Sequence, residues 1–147
     1  FNIPGLGCAF AVIPDAALRR RFLRAMDGIV PHVNVLGLVA CEAAYRDCAD
    51  WHRELLAILR ANRDRVEAAV RGQAGLRMQH VEATYLAWID VRALGLEQPQ
   101  AHFEAHGIGL SDGKDFGAPG WLRLNFGCPT SILDEALQRL ATACQAA

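Results

Sequence analysis

Arg123 is the side chain whose type and setting most suggest chemistry. It stands in Trp121-Leu122-Arg123-Leu124-Asn125-Phe126, where Leu122, Leu124 and Phe126 alternate with Trp121, Arg123 and Asn125. A period of two belongs to a strand with one apolar face, so Arg123 and Asn125 share the polar one. A guanidinium offers a planar fork of donors that matches a carboxylate bidentately, and anion clamping is the chemistry such a residue could perform. The alternation by itself also fits an arginine on the wet face of an antiparallel sheet. Amine chemistry has a single candidate, because among 15 Lys+Arg only Lys114 is a lysine. It lies in the glycine-dense stretch 107–120, GIGLSDGKDFGAPG, which runs into the strand.

Other possible sites are weaker. His102 and His106 are four apart on an expected helix, but Glu104 is not in the His-Glu-x-x-His position of a metalloprotease, and a wet helix face is the expectation. Asp115-Phe116-Gly117 spells a kinase magnesium triplet without the glycine-rich phosphate loop or the His-Arg-Asp loop that would accompany it. Gly5-x-Gly7 and Gly107-x-Gly109 lack the third glycine and the strand-to-helix setting of a dinucleotide site. His32, His52 and His80 have no evident partners. Cys8, Cys41, Cys48, Cys128 and Cys144 are odd in number and never form Cys-x-x-Cys, which points to reduced, mostly buried thiols and a cytoplasmic location.

The elements that must position these residues follow from the pattern. With 147 residues, 52% hydrophobic and 21% charged, the chain can bury a core, and a net charge of -1 invites neither nucleic acid nor an anionic membrane. No apolar run reaches the roughly 18 residues that a membrane helix needs. Gly7 to Ile13 is an unbroken apolar run closed by Pro14-Asp15, the pattern of a strand covered on both faces. One such strand cannot make a sheet, and Phe1 is too bulky to follow a trimmed methionine, so residue 1 is expected to lie inside a longer polypeptide. Asp15 caps a helix with Leu18, Phe22 and Met26 on one stripe and Arg19, Arg20, Arg21 and Arg24 on a solvated face, stopped by Gly28. From Val35 to Arg71 the pattern predicts one very long helix, or two with a kink. At about 1.5 Å per residue it would reach roughly 50 Å, the length of a helix that bridges domains or subunits. Two strands, Leu76 to Met78 and Thr84 to Val91, a helix at Gln98 to Ala105 and the Arg123 strand then give β-β-α-β. A last helix is predicted to start with Ser131 as its cap and to be buried through Leu133, Leu137, Leu140 and Cys144.

Taken in order, FNIPGLGCAFAVIP at the start, NVLGLVACEAAYRDCADW at 34–51, ATYLAWID at 83–90 and GIGLSDGKDFGAPGWLRLNFGCP at 107–129 resemble the C-terminal part of the fold-type I pyridoxal-phosphate enzymes. The resemblance covers nearly the whole chain and lies in the branch of the cystathionine beta-lyases and C-S lyases related to aminotransferases. It implies an α/β fold: residues 1–34 ending a large cofactor-binding domain, 35–71 a long connecting helix, and 72–147 a small α+β domain with a β-sheet packed by helices.

In that family the Schiff-base lysine immediately precedes the Phe-Asn-Ile-Pro-Gly stretch, so here it is expected just before Phe1. Lys114 does not match its position, and the 147 residues alone are expected not to catalyse. The resemblance gives Arg123 the role of binding the substrate's α-carboxylate. Asn2, Gly5, Tyr85 and Asn125 are weaker candidates for lining the site, and 107–120 is either a mobile flap or a plain connector. The implied cofactor is pyridoxal 5'-phosphate and the implied substrate a sulfur-containing amino acid, cleaved by β-elimination in a cytoplasmic homodimer. An aminotransferase, and a non-catalytic or regulatory domain on the same scaffold, are the alternatives.

Overall fold

The computed structural model describes residues 1–147, which divide into two compact units, Phe1–Arg53 and Glu54–Ala147. In the first unit a single 3-10 turn, Pro4–Leu6, closes on Gly7 in the left-handed region (φ 60°). The expected strand at Gly7 to Ile13 does not form. The run has no ladder partner, and Phe10 and Val12 are 65% and 80% exposed. An extended segment becomes a strand only when a neighbour satisfies its N–H and C=O groups, and the sheet that this chain builds recruits strands only from its second half.

Helix α1, Ala16–Met26, starts as its sequence predicts: the Asp15 carboxylate accepts from the Leu18 N–H at 2.6 Å. Its apolar stripe stays largely uncovered, with Leu18 and Phe22 both exposed. Helix α2, Val35–Asp47, is capped by Asn34, which works in both directions: Oδ1 accepts from Gly37 N–H at 2.8 Å, and Nδ2 donates to Leu6 O at 3.1 Å. Gly37 is required there, since a Cβ would come within 2.6 Å of Leu6 O. The predicted long helix is two: α2 ends at Cys48, and α3 runs Ala49–Arg71. The break falls where neither proline nor glycine stands.

The second unit is a four-stranded antiparallel sheet in the order β1-β2-β4-β3. Its strands are β1 (Arg77–Met78), β2 (Leu86–Asp90), β3 (Ser111–Asp112) and β4 (Trp121–Asn125). One face is packed by the end of α3, by α4 (Pro99–Ala105) and by α5 (Thr130–Gln145). Ala87 and Ile89 of β2 pair with Leu124 and Leu122 of β4 on that face. They join Val66, Val70, Phe103, Leu133 and Leu140 in one core, each such large side chain worth about 1.5–3 kcal/mol on burial.

Several sequence expectations need correction here. Ser131 is not the cap of α5: Pro129, its φ already set at -54°, occupies that place and its carbonyl accepts from the Ile132 and Leu133 N–H groups. Stretch 107–120 is neither a connector nor a free flap, because Ser111 and Asp112 pair with Arg123 and Leu122. Residues Gly113–Phe116 then form a 3-10 turn whose Lys114 N–H donates to the Asp112 carboxylate at 3.0 Å. His102 and His106 are half-buried rather than wet; His102 Nε2 bonds Ala143 O at 2.9 Å and His106 Nδ1 bonds His102 O at 2.8 Å. His80 does have a partner, Glu67, at 2.9 Å. The five cysteines are free, as expected, but half-buried.

Candidate functional site

The face of the sheet away from the helices carries the second half of each strand's alternation. Register sets its rows: Trp88 of β2, Arg123 of β4 and Ser111 of β3 lie side by side, with Leu86 beside Asn125 on one flank and Asp90 beside Trp121 on the other. Trp88 stacks on Trp121, centroids 6.0 Å apart and planes 15° from parallel, and meets Phe116 edge-on at 5.7 Å and 85°. An arginine therefore sits in an aromatic setting on an otherwise solvent-facing sheet.

Arg123 on this face and Arg92 on the 3-10 turn just after β2 differ in what they do with their charge. Arg92 grips Asp90 through two parallel bonds, Nε to Oδ1 at 2.9 Å and Nη2 to Oδ2 at 2.8 Å, and its guanidinium lies 5.5 Å from the Trp121 centroid. That grip holds the Asp90 carboxyl well below the usual range, at about 2. Arg123 has no such partner in its unit: Nη2 donates to the neutral Ser111 hydroxyl at 3.2 Å, and Cζ lies 4.5 Å over the Phe116 ring. Arg123 is half-buried, and a cation so placed with its donors largely uncommitted is suited to an incoming carboxylate.

Of the weaker candidates, Asn125 and Tyr85 cluster beside the same strand end. Phe126 N–H donates to Tyr85 O at 2.9 Å, and Asn125 Oδ1 accepts from Gly127 N–H at 2.8 Å. A Cβ on Gly127 would lie 3.1 Å from the Tyr85 ring, so glycine lets that ring close over the turn. Thr84, just before Tyr85, holds φ at +71°, a conformation that a β-branched residue adopts only under strain. Asn2 and Gly5 belong to the first unit, where Asn2 is also left-handed (φ 51°) and both are exposed. Lys114 reaches Asp112 at 3.6 Å from its mostly exposed position on the 3-10 turn.

Sequence reasoning missed three residues around Arg123. Phe116 was hidden inside a misleading triplet, and Ser111 in a glycine-rich run that concealed a two-residue strand. Asn62 left a readable signal, a polar amide on the apolar stripe of Leu55, Leu59 and Val66. It is completely buried, donates to Phe126 O and Cys128 O at 3.0 Å each, and accepts from Thr130 Oγ1 at 3.1 Å. It thereby ties α3 to the end of the strand that bears Arg123.

Comparison with known proteins gives a consistent answer. Residues 1–140 match the family described as aminotransferase class I and II. The cystathionine beta-lyase PatB of Bacillus subtilis is 31% identical over 97% of this chain and 39% of its own length. The crystal structure of OvoB superposes with a TM-score of 0.92 at 48% identity, over 100% of this chain and 39% of that one. Cystalysin from Treponema denticola, whose crystal structure contains pyridoxal 5'-phosphate, gives a TM-score of 0.84 at 29% identity, over 99% and 39%. The chain thus spans about two fifths of the length of these relatives. No helix is long and apolar enough to cross a membrane.

Proposed function

Because the chain belongs to the class I and II aminotransferase family, we propose that the complete protein is a pyridoxal-phosphate-dependent C-S lyase to which these residues contribute the substrate-carboxylate site. The reaction is β-elimination from a sulfur-containing amino acid: the α-proton and the thiolate leave, water is consumed, and pyruvate, ammonia and a thiol are formed. The observation that carries the reading is the half-buried Arg123 guanidinium, which makes no ion pair and rests on a neutral hydroxyl and an aromatic ring, while Arg92, on the turn after β2, is gripped by Asp90.

The chain's residues fit the substrate end of such a site and not the cofactor end. Its single lysine, Lys114, is drawn to Asp112 on an exposed turn and does not match the family's lysine position. The anchoring lysine and the phosphate cradle are therefore assigned to the portion of the relatives that this chain does not span. Pyridoxal phosphate, when bound there, supplies the electron sink for the α-carbon. Arg123 would fix the carboxylate so that the Cα–H bond stands at one angle throughout the reaction. The same reading makes the protein a homodimer, which the broken helix α2–α3 suits, and places it in the cytoplasm, where five free cysteines fit a reducing compartment.

Replacing the fork by a point charge tests the assignment. Arg123→Lys in the complete protein is expected to lower kcat/KM for S-alkyl cysteines by about 100-fold, through lost bidentate geometry and misplaced substrate, with the melting temperature nearly unchanged. Unaltered kinetics would remove Arg123 from the site.

A further inference from the structure

We propose that Phe116 and Ser111 are positioning residues for the carboxylate clamp, together holding the plane of the Arg123 guanidinium so that its free donors face an α-carboxylate. The inference rests on the reading of Arg123 as the carboxylate-binding residue. A long side chain on an exposed sheet face ordinarily samples many rotamers, and a bidentate site loses affinity in proportion to that freedom. Here two contacts remove it. The Phe116 ring lies 4.5 Å from Cζ and presents its electron-rich face to the cation, taking up no N–H group. The Ser111 hydroxyl, directly opposite Arg123 in the β3–β4 ladder, accepts from Nη2 at 3.2 Å and leaves the remaining donors uncommitted.

Phe116 is half exposed, at 51%, with the Arg123 guanidinium over its ring. Its place is nonetheless tightly determined. The ring is braced edge-on by Trp88, the Arg123 neighbour in β2. It rides on the Gly113–Phe116 turn, capped by Asp112 and ended by Gly117 in the left-handed region at φ 74°. Gly113 at the base of that turn is buried, and a Cβ there would collide with the carbonyls of Ala118 and Trp121. A turn built this rigidly, carrying an exposed ring to a guanidinium that has no carboxylate of its own, serves the guanidinium.

The test uses the complete protein and compares S-methylcysteine with S-methylcysteinamide, which lacks the carboxylate. Phe116→Leu keeps apolar bulk without a π face; it is expected to raise KM for the acid about three- to tenfold, with kcat within about twofold, and to leave KM for the amide unchanged. Phe116→Tyr restores the ring and is expected to restore the acid KM. Ser111→Ala is expected to raise KM for the acid alone, by about two- to fivefold. A Phe116→Leu variant that binds the acid normally overturns the proposal, and so does an equal loss for acid and amide, since the ring would then be packing only. Arg123→Met run in parallel separates the two levels. If it raises KM for the acid but not for the amide while Phe116→Leu does not, the positioning role alone fails. If Arg123→Met changes KM for acid and amide equally, the clamp fails and the positioning role with it.

Discussion

Arg123 stands on β4 and Arg92 on the turn just after β2, and their difference can be measured through Asp90. The Arg92 fork holds the Asp90 carboxyl at about 2, against roughly 3.9 for an unperturbed aspartate. The folded state therefore prefers the charged form. The stabilisation is fully present above about pH 4 and is lost as pH falls through about 2. In Arg92→Ala the Asp90 titration midpoint, followed by carboxyl 13C NMR, is expected to rise toward the ordinary value; a midpoint still near 2 would move the cause to Arg77, the Asp90 neighbour in β1. The alternation in Trp121 to Phe126 was enough to put Arg123 and Asn125 on the outer face and Leu122, Leu124 and Phe126 in the core. It could not show that Asp90 satisfies Arg92 and leaves Arg123 open, because that depends on a turn at Val91 bringing two adjacent side chains together.

At the scale of elements, the strand bearing Arg123 is held at its far end by Asn62, reaching from α3. Asn62→Leu would leave the Phe126 and Cys128 carbonyls and the Thr130 hydroxyl without their buried partner. Each lost bond to a buried group costs about 1–3 kcal/mol, so urea unfolding is expected to show a total loss of at least about 3 kcal/mol. A loss below about 1 kcal/mol would mean that water replaces the amide. Thr84 gives the opposite expectation. At φ +71° a β-branched residue is strained, and its Oγ1 accepts only a 3.3 Å bond from Leu86 N–H. Thr84→Asn keeps a side-chain acceptor on a residue that tolerates this region, and is expected to stabilise by about 1 kcal/mol in the same unfolding assay. Helix existence was legible because periodicity and a cap such as that of Asp15 are local. Legibility failed where pairing decides: β3 is two residues long and visible only through its register with Arg123, while Gly7 to Ile13 had a strand's composition and no neighbour.

For the whole molecule, the first unit leaves more apolar surface uncovered than a solitary soluble chain tolerates. Phe10, Val12, Ile29, Val35 and Leu36 are between 65% and 80% exposed, and Leu18, Leu23, Leu38 and Val39 are all more than half exposed. The run from Gly7 to Ile13 also forms no ladder, which leaves its backbone groups open to pairing with another chain. The second unit buries a complete core of its own around Phe103, Phe126 and Ile89 and gives no such cause for association. The 147-residue chain by itself is therefore expected to form oligomers, seen by light scattering as a mass that grows with concentration. Val12→Lys and Phe10→Asp together place charges on the unpaired run and are expected to shift the distribution toward monomer without loss of helical circular dichroism, since neither residue lies in a helix. A monodisperse monomer in the unsubstituted chain would show that the first unit covers these side chains within itself.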